Sequence, residues 1–367
     1  MGAGKPLRPL WNCHGTSDFV SADNGLGAAP AHPRPCSRGR SGLTPTEIMD
    51  IKLSICIPTY NRAALLGQTL ENVLAQVASR ADVEVVVSDN ASPDDTQEVI
   101  RTYQACFPRL TYFRQPENLG ADRNYLKVVS LAQGEYCWLL GDDDLIEENA
   151  VALLLDVYLI QPIHFMQLCV TGYDFHMEKV LDRSSDVLGV TEDFYTTDAL
   201  SYFAQFFRES FFSGFVINRS MWNGVDPTKY IGTDLTFLAI AYEYLQPDSP
   251  VRFVARPMVK YRSGNPYWSS STLEILVGNM NYVLNSLPER YDPFKDEAGR
   301  GYKKRLPMTL SLLAGLRAKG YYDLPRYQKY MSSYFADRPW HKSVAYLLAV
   351  TPVGVIKRLS DCRKALR

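Results

Sequence analysis

Three polar clusters hold most of the side chains able to do chemistry: Pro58-Thr59-Tyr60-Asn61-Arg62, Ser88-Asp89-Asn90-Ala91-Ser92-Pro93-Asp94 and Gly141-Asp142-Asp143-Asp144. Three consecutive carboxylates are costly, because like charges a few ångströms apart repel and some stay protonated without a cation. A hard divalent ion removes that cost, and Mg²⁺ or Mn²⁺ held by one or two carboxylates plus substrate phosphates suits such a turn. The plainer alternative is a solvated acidic turn capping the helix expected to follow. A phosphotransfer centre of the receiver type also uses an acidic rim, but it wants a partner lysine at another strand end, and none is evident. Asp89 closes an apolar run, so its carboxylate reaches a rim where it can accept hydrogen bonds from a nucleobase or ribose. A turn or N-cap aspartate is the structural alternative. Ser92-Pro93-Asp94-Asp95-Thr96 has the composition of a helix start.

The elements that must position these clusters follow from periodicity. Leu53, Ile55 and Ile57 alternate as in a strand, and Leu66, Leu70, Val73, Leu74 and Val77 recur at helical spacing. Val83 to Val87 predict a second strand, 94 to 106 a helix, Leu110 to Phe113 a third strand, 121 to 132 a helix and Glu135 to Leu140 a fourth strand. Alternating strand and helix with short connections predicts parallel βαβ units. All three clusters then fall at carboxyl ends of parallel strands, the rim where open α/β sheets bind ligands, and this favours the cation reading of the aspartates. Beyond come a helix at 147 to 160, a strand at Ile163 to Val170, an irregular aromatic region from Tyr173 to Phe215, a helix at 234 to 245 and a strand at Val251 to Tyr261. A loop from Ser263 to Ser271 precedes a helical remainder from about 272.

Pro58-Thr59-Tyr60-Asn61-Arg62, Asp89-Asn90-Ala91-Ser92-x-Asp94-x-Thr96, Asn118-Leu119-Gly120 with Arg123-Asn124, and Gly134-Glu135-Tyr136 running into Gly141-Asp142-Asp143-Asp144 together resemble the family 2 glycosyltransferases of the GT-A fold. The resemblance covers residues 51 to 150 closely and 150 to 265 loosely. Leu-Leu-Gly-Asp-Asp-Asp and the later Tyr-Arg-Ser-Gly-Asn look most like the abequosyltransferase-type branch acting on bacterial surface polysaccharide. It implies an α/β GT-A domain and a metal-dependent enzyme using a nucleotide-sugar donor. By motif, Pro58, Thr59, Tyr60, Arg62 and Asp89 would receive the base and ribose, and Arg123 would approach the phosphates. Asp144 would hold Mn²⁺ or Mg²⁺, Asp142 the ribose side or the metal, and Asp143 either. Family members place the catalytic base as the aspartate of a Glu-Asp pair opening a later helix. Here Gly232-Thr233-Asp234-Leu235 offers Asp234 with Thr in place of Glu, and a simple N-cap aspartate is the alternative. In related enzymes a segment after the base closes over the donor, which by resemblance would make Arg262, Asn265 and Trp268 diphosphate and sugar contacts; an ordinary surface loop with a packed Trp is the alternative.

Composition bounds the rest. The chain has 367 residues with 39 Lys+Arg against 40 Asp+Glu, which disfavours a dedicated nucleic-acid binder. No apolar run approaches the roughly 18 to 20 residues that span a bilayer, and no secretory signal is visible. Seven scattered cysteines without a Cys-x-x-Cys pair predict a cytoplasmic protein with core thiols at Cys56, Cys137 and Cys169. Residues 1–48 carry 6 Pro and 7 Gly and read as disordered, either a natural tail or an extension upstream of Met49. Three regions are therefore expected: this extension, a GT-A domain over 49–271 and a helical region over 272–367. The last thirty residues hold seven Lys/Arg and one Asp around a short apolar stretch. They read as an element on the anionic inner face of the cytoplasmic membrane, or as a core-packed helical hairpin. A lipid-linked glycan acceptor would make the membrane reading functional. The other functions compatible with the sequence are a sugar-phosphate nucleotidyltransferase, whose Gly-rich loop after the first strand is missing, and a non-catalytic polysaccharide-binding subunit.

Overall fold

The computed structural model describes residues 50–263, 270–305 and 309–358. The disorder expected of 1–48, and the donor contacts expected of Asn265 and Trp268, lie outside the described residues. The chain opens with β1 (Leu53–Thr59), α1 (Ala63–Val77), β2 (Val83–Asp89), α2 (Thr96–Gln104), β3 (Leu110–Arg114), α3 (Ala121–Leu131) and β4 (Tyr136–Leu139). Every residue of β1, β2 and β4 is buried, as expected of parallel strands covered on both faces. Alternation sorts their side chains. Ile55, Ile57, Val85, Val87 and Trp138 pack on the face of α1, while Cys56, Val86, Cys137 and Leu139 pack on the face of α3, the period of two of a pleated strand. On α1 the stripe Leu66, Leu70, Val73 and Val77 is buried.

Register brings the three polar clusters to one rim. β1 pairs in parallel with β2 from Leu53↔Val83 to Thr59↔Asp89, and with β4 from Leu53↔Tyr136 to Cys56↔Leu139. β1 leaves through Asn61 at φ 55 and β2 through Ala91 at φ 64, left-handed conformations that non-glycine residues adopt where surrounding contacts impose them.

The second half adds β5 (Leu145–Ile146), β6 (Phe165–Tyr173), β7 (Val180–Arg183), β8 (Phe194–Thr196), β9 (Phe215–Asn218) and β10 (Val251–Arg262). The sheet runs β3-β2-β1-β4-β9-β6-β10-β5, with β7 beside β6 and β8 beside β10. β9 is antiparallel to both β4 and β6, so β6 and β10, themselves parallel, point the same way as β1 to β4. The expected irregular region at Tyr173 to Phe215 instead holds β7, β8, the start of β9 and a helix at Ala199–Phe206. These strands are three or four residues long, too short to display a period, and the aromatics are absorbed by that helix, which buries Tyr202, Phe203 and Phe206. The helix expected at 147 to 160 is shorter, Ala150–Leu153 running into a wider turn at Leu154–Tyr158. After β10 the described residues are helical, and a separate apolar cluster there includes Leu273, Leu313, Leu316, Tyr322 and Met331. Among the described residues no helix is long and apolar enough to cross a membrane.

Candidate active site

The acidic turn follows β4 directly, and every part of it is tied down. Thr59 at the end of β1 donates to Asp142 Oδ2 at 2.7 Å, and Arg62 Nη1 donates to Asp142 Oδ1 at 2.8 Å. The same guanidinium lies 3.4 Å from Asp143 Oδ2. Ser213 donates to Asp144 Oδ2 and accepts from the Gly141 N–H at 2.8 Å. The backbone N–H of Arg262, the last residue of β10, donates to Asp144 Oδ1 at 3.1 Å. From α1, the Thr69 hydroxyl lies 3.0 Å from the Asp142 carbonyl and 2.9 Å from that of Asp144. Asp142 and Asp144 are buried, and loss of water pushes both carboxyls up, Asp142 to about 6 and Asp144 to about 8. The neighbouring Asp143 adds to both shifts, while Arg62 opposes that of Asp142. Stated physically, the turn keeps a carboxyl protonated near neutrality unless positive charge is brought to it.

Asp89 occupies the adjacent stretch of the rim. Fully buried, it accepts from the Ser92 N–H at 2.8 Å and from the Tyr112 hydroxyl at 2.8 Å, with Arg114 Nε 3.5 Å away. Pro58 is buried and Tyr60 half-buried beside it. Asn124 of α3 bolts the rim together, accepting from Ser88 Oγ at 2.7 Å and donating to the Ser88 carbonyl at 2.9 Å and the Thr59 carbonyl at 3.3 Å. Arg123, next to it, is exposed.

Asp234 precedes the helix Thr236–Glu243 in a left-handed conformation, φ 57. It is not that helix's cap. The N-terminal N–H groups are taken by the buried carboxylate of Asp122 from α3, which accepts from Asp234 N at 2.9 Å and from Thr236 N at 3.1 Å. Burial, Asp122 and Glu274 push the Asp234 carboxyl up to about 6, the range in which a carboxylate serves as a base near neutral pH. Tyr125, one turn along α3 from Asp122, has its hydroxyl pushed up by burial and by the charges of Asp122, Asp234 and Asp142. Its ring packs against Phe212 and Phe237, within electrostatic reach of both Asp142 and Asp234.

Thus Thr59, Arg62, Asp142, Asp143, Asp144 and Arg262 converge, Asp89 lies on the same rim, and Tyr125 senses the charges of both Asp142 and Asp234. Two of the arginines expected at the donor engage groups of the protein itself. Arg62 pairs with the acidic turn, and the buried Arg262 spends its guanidinium on the carbonyls of Asp143 and Phe175 and on Gln68 Oε1. Thr69, Ser213, Asp122 and Tyr125 are the site residues that sequence reasoning missed. Asp122 adjoins the Arg123-Asn124 pair, a positional signal, whereas Ser213 follows two phenylalanines and has none.

Residues 54–174 match the family model described as Glycosyl transferase family 2. The chain is 32% identical over 228 residues to Abequosyltransferase RfbV of Salmonella typhimurium strain LT2, covering 58% of this chain and 67% of that one. It is 34% identical over 105 residues to the GalNAc(5)-diNAcBac-PP-undecaprenol beta-1,3-glucosyltransferase of Campylobacter jejuni, covering 28% of this chain and 33% of that one. Among solved structures, S. aureus TarS 1-349 aligns with a TM-score of 0.50 at 14% identity over 72% of this chain and 80% of that one. A second S. aureus TarS structure gives 0.51 at 13% identity over 80% of this chain and 55% of that one. At such identities the likeness is one of fold.

Proposed function

The chain belongs to the family 2 glycosyltransferases and has their GT-A fold, and we propose that it moves a sugar from a nucleotide-sugar donor to a hydroxyl of a lipid-linked glycan, with inversion and with Mn²⁺ or Mg²⁺ on the donor diphosphate. The observation that carries this reading is the buried Asp142-Asp143-Asp144 turn gathered at the sheet's carboxyl rim by Thr59, Arg62 and Arg262, together with an Asp234 carboxylate that Asp122 relieves of capping the next helix. Among the described residues no three carboxyl, His or Cys groups converge into a ready-made cage. Mg²⁺ and Mn²⁺ sites that share substrate phosphates need no such cage, since one or two carboxylates suffice. The donor set fits: an Asp144 carboxyl pushed up to about 8 by burial and by Asp143 is a buried oxygen ligand short of positive charge. Asp144 would hold the cation, with Asp142 or Asp143 beside it. When bound, the cation would neutralise the charge that builds on the departing diphosphate.

This chain's own residues then divide the work. Thr59, Tyr60 and Asp89 line the base and ribose side, with Pro58 shaping the strand exit. Arg62 is poised to exchange an Asp142 contact for a phosphate, and Arg123 lies exposed beside the rim, free to meet phosphate. Arg262 holds the acidic turn from behind, and the segment it begins, with Asn265 and Trp268, is assigned to the diphosphate and sugar. Asp234 takes the acceptor hydroxyl proton as the acceptor oxygen bonds to the anomeric carbon. The anomeric carbon–oxygen bond to phosphate breaks, and the nucleoside diphosphate leaves with that electron pair. A screen of nucleotide-sugars for release of nucleoside diphosphate tests the reading. One donor class is expected to be consumed slowly without acceptor, with chelation abolishing turnover; binding of glycan without consumption of any donor would favour a non-catalytic role.

A membrane-bound acceptor draws support from the helix Pro339–Val350. It buries Ala345 and Ala349 but leaves Trp340 72% and Leu347 57% exposed, with Tyr346, Val350 and the nearby Val355 also outward. Arg338, Lys342, Lys357 and Arg358, in and on either side of that helix in the sequence, are exposed. Apolar side chains among cations suit the anionic cytoplasmic face of a membrane, where each basic residue contributes about 1 kcal/mol. The protein is expected to sediment with anionic vesicles at low salt and to be released at high salt, and Trp340→Ser with Leu347→Ser to weaken sedimentation at least tenfold. Equal recovery with neutral vesicles at every salt concentration would count against the membrane contact.

A further inference from the structure

We infer that Asp122 is the positioning residue for the base, a role that rests on the reading of Asp234 as that base. Asp122 lies in the first turn of α3 and is 3% exposed. Its Oδ2 accepts from Gly232 N at 2.8 Å and Asp234 N at 2.9 Å, and its Oδ1 from Thr236 N at 3.1 Å. The three donors come from the loop and first residue of a helix whose own N-cap, Leu235, has no side chain able to cap it. Gly232 at φ 96 and Asp234 at φ 57 are both left-handed, and the alternate N–H groups of Gly232, Asp234 and Thr236 turn toward one carboxylate. Aspartate is among the few non-glycine residues that visit that conformation, and here the Asp122 contacts from α3, with the Thr233 and Thr236 hydroxyls donating to the Tyr230 carbonyl, hold it. Asn279 adds a single hydrogen bond to the Thr233 carbonyl from the other side.

The same helix is anchored to the donor rim. Two residues after Asp122, Asn124 is fastened to the ends of β1 and β2 through the Thr59 and Ser88 carbonyls. The first turn of α3 thus holds the nucleotide side through Asn124 and the base loop through Asp122, which ties the position of Asp234 to the donor rim. An error of an ångström in such a position costs about 10²-fold in rate. The groups facing Asp234 are Asp122 and Tyr125 from α3 and Glu274 from the turn Glu274–Asn279. Asp122 therefore also helps to hold the base's affinity for a proton up, with Glu274 supplementing it.

Asp122→Asn tests the assignment, because the amide keeps the volume, removes the charge and turns one acceptor into a donor that meets an N–H. Expected are a fall of about 10- to 100-fold in kcat, nucleotide affinity within twofold of the parent, and an acid limb of the pH–rate profile displaced to lower pH. Asp122→Glu keeps the charge and misplaces the oxygens, so its kcat falls with less displacement. In an Asp234→Asn background, Asp122→Asn is expected to add nothing, since it acts through Asp234. Unchanged kcat in Asp122→Asn while Asp234→Asn is dead overturns the positioning role alone, whereas transfer persisting in Asp234→Asn overturns the base reading beneath it. If both Asp122 variants unfold or lose nucleotide affinity in step with kcat, Asp122 is a general tie of the fold and the inference fails.

Discussion

Asp144→Asn is expected to lower transfer by about 10²- to 10³-fold, the range seen when one preorganised electrostatic stabiliser is removed, while the protein stays folded. The substitution keeps the side chain's shape, so the amide oxygen can still accept from the Arg262 N–H that Asp144 Oδ1 now engages at 3.1 Å, and the amide NH₂ can donate to Ser213. What is lost is the charge that would meet a divalent cation, and with it the neutralisation of the leaving diphosphate. Transfer unchanged in this variant, with chelators also harmless, would sink the metal-site reading.

The same substitution has an opposite effect on the stability of the cation-free protein. The Asp144 carboxyl is pushed from an ordinary 3.8 up to about 8 on folding, chiefly by burial and then by Asp143. The unfolded chain therefore ionises it first, and between these two values the folded state binds the extra proton. Stability is fully present below the unfolded value and declines as pH rises toward the folded one. Asparagine carries no such penalty. At pH 7.5 without cation the variant is expected to melt above the parent, by about 2–4 °C for each kcal/mol relieved in a domain of this size. Adding Mn²⁺ should raise the parent's midpoint and leave the variant's in place. Both midpoints are read in one thermal scan.

The parts of this site that the amino-acid order reveals are those governed by short-range pattern. Ile55 and Ile57 facing one core and Cys56 the other is a consequence of alternation alone, and once β1, β2 and β4 are parallel, Thr59, Asp89 and the aspartates have one rim to emerge on. Contacts fixed by register between distant segments leave no trace of that kind. Arg62 reaches Asp142 across 80 positions and Arg262 reaches Gln68 across 194, so their residue types are visible but their partners are not. β9 is four residues long and enters the sheet antiparallel between β4 and β6, a placement decided by which edges are free and not by its own composition. Asp234 is the instructive intermediate. Its position before an apolar helix reads equally as a cap, and only the discovery that Asp122, 112 residues earlier, supplies the cap leaves its carboxylate for chemistry.

Asp234→Asn is expected to abolish transfer, by about 10²- to 10⁴-fold for loss of a general base, while nucleotide binding stays within a factor of two. The split follows from the roles proposed: a base acts on the acceptor hydroxyl, and the donor is held by the strand-end cluster. Asparagine also suits the left-handed backbone at φ 57 better than most residues do, and its N–H still reaches Asp122, so the loop survives and the loss is chemical. The parent's own pH dependence carries the same signature. With the carboxyl pushed up to about 6 by burial, then Asp122 and Glu274, the base is protonated and idle below that value. Under saturating donor and cation, kcat should climb tenfold per pH unit on the acid side and level off above about 6. In Asp234→Asn the residual rate should lack that limb. A variant that keeps transfer within a few-fold, or that loses nucleotide affinity and transfer together, would move the base elsewhere and leave Asp234 as part of the turn that Asp122 gathers.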